Sequence, residues 1–268
     1  MIRKILFLLP LILLGVACSD INEDERLILG DKVEARRTVL LEDFTGQNCV
    51  NCPKAHTTIN DLEAQYGDNL IAVSIHCGSF GIPVTNRRYT GLMQPEGDAL
   101  NDRYNITEWP KGVVNGHGGA TNHTEWAEQV RREITIAPVA SITPKAVYTA
   151  DKSAVDISVE IHVIEDIDAQ LNVWLLEDGI VARQEDKELG RINDYVHNHV
   201  FRACYEGIDG VPVNIKKGFH TQMQARVAVR SGEYEHWNLD NVYAVVFLRD
   251  AGGVLQAAKC HIENQEAN

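Results

Sequence analysis

Two cysteines three positions apart, Cys49 and Cys52, are the residues of this sequence with the clearest chemistry. They follow an apolar segment, residues 39–44, and stand at the start of a predicted helix. A thiol at a helix N-terminus ionises readily, because unpaired backbone N–H groups and the helix dipole stabilise the thiolate. Cys49 is therefore the candidate nucleophile, and Cys52, one helical turn further on, can release a mixed disulfide. The spacing predicts a Cys49–Cys52 disulfide that exchanges with other thiols.

The elements that must position these thiols can be predicted from the hydrophobic pattern. Residues 38–44 are typical of a buried strand, residues 53–66 of a helix that stops at Gly67, and residues 69–76 of a second buried strand. A strand, a helix and a strand in this order form a parallel βαβ unit. The two cysteines would then lie where the first strand passes into the helix.

The alternation of strand and helix continues to about residue 137. Residues 78–95 contain Gly, Pro and Asn without a sustained period, so we predict a loop that borders the active face. We expect a short helix at residues 98–104 and a strand at residues 111–114. A last helix starts near residue 124, where Trp126, Val130 and Ile134 repeat at four-residue spacing.

Two segments of this region resemble the thioredoxin superfamily. Residues 41–49 look like the strand and turn that lead into that family's Cys-x-x-Cys, with the acid Asp43 six residues before Cys49. Residues 106–113 resemble the segment that holds the family's cis-proline, which would be Pro110; X-Pro is the bond where the cis form costs least. The resemblance implies that Asp43 is buried and moves a proton off Cys52. It also implies that Pro110 packs against the disulfide where substrate backbone binds.

The segment departs from the superfamily in the residues around its cysteines. Asn48 stands where redox-active members usually carry Trp, and the dipeptide between the cysteines is Val-Asn. Two interpretations therefore stay open. Cys49 and Cys52 are either a working thiol–disulfide oxidoreductase site or a static disulfide on an inherited scaffold. Neither interpretation needs a cofactor.

Beyond residue 138 the pattern changes to short strands. Residues 155–163 alternate strictly between apolar and polar side chains, as a half-buried strand does. Further strands are predicted at residues 139–148, 171–175, 194–204, 221–229, 241–248 and 254–262. About seven strands favour an antiparallel sandwich of immunoglobulin-like character. The predicted fold class is thus an α/β thioredoxin-like domain followed by an all-β immunoglobulin-like sandwich domain.

The N-terminal residues predict export and a lipid anchor. Arg3 and Lys4 precede an apolar run, residues 5–14, that is too short to span a bilayer. The small residues directly before Cys18 are typical of lipoprotein processing, so Cys18 is the predicted lipidated residue and the membrane is a predicted partner. The predicted organisation is a signal peptide (1–17), a lipidated cysteine with an acidic tether (18–36), a thioredoxin-like domain (37–137) and a β-sandwich domain (138–268).

The remaining composition limits the partners and the sites. A net charge of −13 over 268 residues argues against nucleic acid as a partner.

Cys204 and Cys260 lie on the apolar faces of predicted strands, where they could form a disulfide or remain two buried thiols. Cys77 is expected to be a core residue. His197 and His199 have a spacing that metal sites use, but no third ligand is identifiable nearby, so no metal site is predicted.

The whole arrangement resembles the outer membrane protein 28-related lipoproteins. The resemblance rests on residues 39–46 with the cysteine pair, on residues 195–200, and on residues 237–242 leading to 254–258. It implies an outer-membrane lipoprotein, on the periplasmic or the cell-surface side. Two functions remain possible: thiol–disulfide exchange on exported proteins, or binding of surface ligands by a non-catalytic adhesin.

Overall fold

The computed structural model describes residues 37–230, residue 232 and residues 235–265. The predicted signal peptide, Cys18 and the acidic tether lie outside these residues. Among the described residues no helix is both long enough and apolar enough to cross a membrane.

Fourteen strands and three α-helices make up the described residues. The helices are α1 (Cys52–Tyr66), α2 (Pro95–Arg103) and α3 (His123–Glu133). The strands are β1 (Val39–Thr45), β2 (Leu70–His76), β3 (Lys111–Val114), β4 (His117–Thr121), β5 (Ala140–Tyr148), β6 (Ala154–Val163), β7 (Ile167–Glu177), β8 (Ile180–Asp186), β9 (Gly190–His197), β10 (Val200–Cys204), β11 (Val211–Ile215), β12 (His220–Ala228), β13 (Val242–Asp250) and β14 (Gly253–Glu263).

Twelve of these strands belong to one mixed sheet. Its order is β12-β6-β5-β14-β13-β7-β10-β2-β1-β3-β4, and β11 pairs with β7 beside this path. Strands β8 and β9 form a separate antiparallel hairpin. This β8–β9 hairpin packs on the loop that carries Cys49.

The large sheet is continuous because β10 bonds to strands on both sides. It pairs antiparallel with β7 and parallel with β2, where Val200 is opposite Ser74. The Ser74 N–H donates to the His199 carbonyl at 2.7 Å. One buried cluster also spans this junction, with Phe44 of β1, Trp174 of β7 and Phe247 of β13 among its members.

The predicted fold class is therefore wrong. The described residues are mostly β, with 48% of them in strands and 19% in helices, and they form one large mixed sheet of 12 strands rather than a thioredoxin-like α/β domain plus an immunoglobulin-like sandwich. The physical reason is that β10 pairs with β2 and that an apolar cluster spans this junction. Neither feature can be predicted from local periodicity in the sequence. The boundary predicted between residues 137 and 138 falls between α3 and β5 and stays a prediction.

Most local elements around the cysteines agree with the sequence predictions. Strands β1 and β2 pair in parallel, with α1 connecting them, and every residue of both strands is buried. Such continuous burial is expected for parallel strands covered on both faces. Helix α1 packs Ile59 and Leu62 into a second cluster with Trp126 of α3. These contacts fix the N-terminus of α1, and with it the cysteine pair, against the end of β1.

The predicted strand at residues 194–204 is interrupted in the structure. His199 has a φ of 58°, a left-handed conformation that ends the strand pairing. As a result β9 pairs with β8, whereas β10 enters the large sheet. The break turns one predicted strand into two that belong to different sheets.

Candidate functional site

Cys49 and Cys52 form a disulfide at the N-terminus of α1. Strand β1 ends at Thr45, the loop of residues 46–51 follows, and Cys52 is the first residue of the helix. Pro53 is tolerated there because the first helical N–H groups have no partner within the helix. Cys49 is 2% exposed and Cys52 is fully buried. The disulfide thus lies at the predicted place, but beneath the surface.

Backbone contacts fix the loop that carries Cys49. The Cys49 N–H donates to the Gly46 carbonyl at 3.0 Å, and the Asn48 N–H donates to the Phe80 carbonyl at 2.9 Å. A Cβ on residue 46 would lie 2.5 Å from the backbone of Phe80, so only glycine permits this approach. The predicted loop of residues 78–95 therefore borders the site, as the sequence indicated.

The β8–β9 hairpin packs along the other side of this loop. Backbone N–H groups of Glu185 and Lys187 donate to the carbonyls of Gln47 and Val50 at 2.8 and 2.9 Å. The buried side chain of Gln184 donates to the Cys49 carbonyl at 2.9 Å. These bonds run directly to the residues around the disulfide, so the hairpin holds the Cys49 loop in place on this side.

Gln184→Ala is expected to expose the disulfide by weakening the hairpin. Its amide donates to the carbonyls of Gly46, Cys49 and Glu185 at 3.3, 2.9 and 3.0 Å, and a net hydrogen bond contributes about 1 kcal/mol. We expect the substitution to increase the rate of Cys49–Cys52 reduction by dithiothreitol roughly tenfold, because local opening becomes more frequent.

Gln222→Ala is the matched control, because Gln222 bonds only to Ser158 on the exposed face of β6 and β12. Reduction is followed by alkylation of the released thiols and mass spectrometry. Equal rates in Gln184→Ala and the wild-type chain would mean that the hairpin does not limit access.

Asp43 is fully buried behind the cysteine loop, on β1. Neither of its carboxylate oxygens has a hydrogen-bond partner among the described residues. Burial without partners disfavours the charged carboxylate, and the pKa of Asp43 is accordingly raised well above its usual 3.8. The nearest basic group is His56 Nε2, 3.6 Å from Asp43 Oδ2. A buried acid that keeps its proton near neutral pH can give that proton to a thiolate.

His56 lies one turn after Cys52 on α1 and faces Asp43. Burial, together with His197 and His199, lowers the pKa of His56 to about 3. The raised pKa of Asp43 and the lowered pKa of His56 both disfavour an ion pair between the two side chains. The ring is held at both nitrogens, by Thr45 Oγ1 at 3.1 Å and by the Tyr195 hydroxyl at 2.7 Å. From the sequence, His56 is a candidate to influence the thiols because it lies on the cysteine-bearing helix, whereas Tyr195 carries no such indication.

Pro110 lies in a groove beside the N-terminus of α1. The Trp109–Pro110 bond is cis. A cavity of about 320 Å³ is lined by Pro110 and by Asn51 and Lys54, which flank Cys52. The structure therefore brings Pro110 next to the helix end that carries the disulfide. The roles of Cys49, Cys52, Asp43 and Pro110 in catalysis remain predictions.

The other described cysteines are free thiols. Cys204 packs against the cluster at the β10–β2 junction, and Cys260 against a separate cluster built mainly from β5 to β7 and β11 to β13. The possible Cys204–Cys260 disulfide is therefore not formed in this structure. Cys77 is buried as predicted, and burial raises its pKa to about 12, which makes it a poor nucleophile.

His197 and His199 do not converge on a common point. His197 is buried against His76, with ring centroids 5.2 Å apart, whereas His199 Nε2 lies 3.1 Å from Glu63. The left-handed φ of His199 turns it away from the alternation that the sequence suggested. Within the described ranges no group of three His, Cys, Asp or Glu residues is arranged to hold a metal ion.

The fold and site together define a mixed, mostly β protein with a buried disulfide where a strand passes into a helix. The family described as outer membrane protein Omp28 matches residues 97–266 of the chain. The chain belongs to this family of outer-membrane lipoproteins, which confirms the predicted localisation. The match begins after Cys52, so membership in the family carries no argument about the disulfide.

Solved structures share the fold at low sequence identity. HBP35 of Porphyromonas gingivalis is 13% identical with a TM-score of 0.67, over 87% of this chain and 78% of that one. A protein from Agrobacterium tumefaciens is 14% identical with a TM-score of 0.53, over 87% and 97%. A domain of the Porphyromonas gingivalis outer membrane lipoprotein Omp28 is 20% identical over 49% and 93%, with a TM-score of only 0.36. At these identities the first two matches concern the fold alone, and none of the curated proteins matches the chain.

Proposed function

We propose that this outer-membrane lipoprotein exchanges thiols and disulfides with exported proteins through Cys49 and Cys52. The observation that carries the proposal is the position of the disulfide at a helix N-terminus, after a strand that carries the fully buried acid Asp43. The helix end favours a thiolate at Cys49, and the acid supplies a proton to Cys52. These local features are the ones that the thioredoxin-superfamily resemblance implies for such chemistry, whatever the fold of the whole chain.

The exchange proceeds in two displacement steps. A client thiolate attacks Cys49 Sγ, the Cys49–Cys52 bond breaks, and Cys52 leaves as a thiolate that takes a proton from Asp43. A second client thiolate then attacks the client sulfur of the mixed disulfide and releases the Cys49 thiolate. The client is oxidised to a disulfide and the protein is reduced to a dithiol. The reverse sequence reduces a client disulfide.

Two surfaces would serve the client in this mechanism. The groove beside Pro110 offers Asn51 and Lys54 at the end of α1, next to the disulfide. Cys49 is only 2% exposed, so a client needs local opening around the Cys49 loop, and the β8–β9 hairpin that bonds to this loop is the candidate element. Lipid on Cys18 would keep the site at the membrane, where exported proteins pass.

The test is turnover by the purified full-length chain in detergent. A fluorescence-quenched peptide that contains one disulfide is incubated with the pre-reduced protein, and cleavage of its disulfide is recorded against time. We expect a protein-dependent rate well above that of an equal concentration of glutathione. A rate no higher than that of glutathione, in both directions of exchange, would refute the proposal.

A second candidate function, ligand binding without catalysis, is favoured by a separate cleft. The cleft has a volume of about 580 Å³ and lies between α1, β2 and the β13–β14 pair. Glu63, Asp178, His199 and Tyr243 are among its polar lining residues. A surface adhesin would bind its ligand equally well after Cys49→Ser and Cys52→Ser. Loss of binding in both folded variants would count against this alternative.

A further inference from the structure

A line of polar groups leads from Asp43 towards the protein surface. Asp43 Oδ2 is 3.6 Å from His56 Nε2, and His56 Nδ1 is 2.7 Å from the Tyr195 hydroxyl. Asp43 is fully buried, whereas Tyr195 is partly exposed. His56 therefore lies between the buried carboxyl and Tyr195, and its own side chain is 15% exposed.

A small polar cavity lies beside this line. It has a volume of about 40 Å³, and its lining residues include His56, Ser74, His76, Tyr195 and His197. A water molecule needs roughly 10–15 Å³ of such volume and two to four polar partners, so the cavity can admit water. The ring nitrogens of His76 and His197 are buried and make no well-formed hydrogen bond to described residues. The cavity provides polar groups around His56 rather than an apolar wall.

A proton route at this place would return a proton to Asp43 independently of the reverse exchange step. When Cys52 leaves as a thiolate and takes a proton from Asp43, the remaining carboxylate regains a proton either from the Cys52 thiol, as that thiol attacks in the reverse step, or from solvent. Asp43 has no contact with solvent of its own, so exchange of its proton with solvent passes through its neighbours.

We propose that His56 and Tyr195 form the proton route between the buried Asp43 carboxyl and solvent. This inference rests on the proposed exchange function and assigns residues that would sustain it. His56 acts through Asp43 and not on the sulfur atoms, so it is a positioning residue. A neutral imidazole accepts a proton at one ring nitrogen and releases one at the other.

The surroundings of His56 keep its ring neutral. The groups that face it are Asp43 and Thr45 from β1, His76 from β2, Tyr195 and His197 from β9, and His199. Burial lowers the pKa of His197 to about 4 and that of His76 well below its usual value, so these two neighbours of His56 favour the neutral form. Carbonyls of Ala182 and Arg183 act in the opposite direction on His197 but do not outweigh burial.

The direct test follows the proton on Asp43 by infrared spectroscopy. The band of a protonated carboxyl shifts when its hydrogen is exchanged for deuterium, and Asp43→Asn identifies the band. We expect His56→Gln and Tyr195→Phe to slow this shift after mixing with D₂O by about tenfold or more, since a positioned proton-transfer group contributes at least that much. His162→Gln, an exposed histidine stacked on His220 far from the site in sequence, is the matched control.

A second measurement separates this inference from the function on which it rests. With the peptide disulfide as substrate, His56→Gln should lower the turnover rate and flatten its dependence on pH, while the Cys49–Cys52 potential stays unchanged. An unaltered deuterium shift in both folded variants would overturn the proton route, even with exchange activity present. A slowed shift without any turnover by the wild-type chain would support the route and refute the exchange function.

Discussion

Cys49→Ser is expected to reduce the rate of thiol–disulfide exchange by roughly a thousand-fold or more. The substitution removes both the attacking sulfur and the Cys49–Cys52 bond, and loss of a nucleophile eliminates covalent catalysis. The hydroxyl of serine does not ionise near neutral pH, so the helix N-terminus has no thiolate to stabilise. The rate is measured with the quenched peptide disulfide and the full-length chain.

Cys52→Ser and Cys204→Ser provide the controls for this prediction. Cys52→Ser keeps the nucleophile but cannot resolve, so a mixed disulfide between Cys49 and the peptide should accumulate and be visible by mass spectrometry. Cys204→Ser removes a thiol whose pKa burial raises to about 11 and which is unpaired, and it should leave the rate unchanged. Turnover that persists in Cys49→Ser would place the activity on another thiol.

Arg202→Met is expected to destabilise the chain by about 3–5 kcal/mol, because it leaves a buried carboxylate without its partner. Arg202 Nε lies 3.1 Å from Glu177 Oε2, and the two side chains are only 2% and 3% exposed. Glu235 stands 3.5 Å away on the other side of the guanidinium. Burial raises the pKa of Glu177 and lowers that of Arg202, and the opposite charge of each partner acts against the shift of the other.

The matched control is an exposed ion pair of the same residue types. Arg226 and Asp156 bond across β12 and β6 at the surface, where solvent screens them, so Arg226→Met should change the stability far less. Replacing Arg202 and Glu177 together by apolar residues should recover part of the loss. Urea unfolding measures the three variants, and equal losses for Arg202→Met and Arg226→Met would contradict the argument.

Local elements of this fold could be predicted because their signals are local. The apolar run that became β1, the helix that ends before Gly67 and the apolar positions of α3 all carry a period that a few residues suffice to show. The joining of β10 to β2 depends on a single parallel pairing, Val200 with Ser74, between segments far apart in the chain. No local pattern encodes such a pairing. The predicted fold class, a thioredoxin-like domain followed by a separate sandwich domain, was therefore wrong.

In the candidate site, too, features set by neighbouring residues could be predicted, whereas contacts between distant segments of the chain could not. The disulfide followed from the spacing of Cys49 and Cys52, and the burial of Asp43 was implied by the thioredoxin-superfamily resemblance. The packing of the β8–β9 hairpin on the Cys49 loop could not be predicted from the sequence, because β8 is a polar strand in which only Ala182 and Gln184 are buried. Gln184 reaches the Cys49 carbonyl from 135 positions away. Its only signal in the sequence is a glutamine within a short charged strand, which by itself indicates a solvated surface.

The burial of Cys49 and Cys52 means that exchange requires local opening around them. The β8–β9 hairpin bonds to the Cys49 loop, and the Gln184→Ala variant tests whether opening of this hairpin limits the access of a thiol. The Cys49→Ser variant tests separately whether the disulfide takes part in exchange.

The most direct test of the exchange function is the reduction potential of the Cys49–Cys52 couple. The full-length chain is equilibrated in glutathione buffers of graded composition, free thiols are alkylated, and the reduced fraction is read by mass spectrometry. Structural disulfides have potentials below about −300 mV, whereas working catalysts lie above that value. We predict a potential above about −300 mV. A couple that stays fully oxidised throughout the glutathione range would contradict a role in exchange.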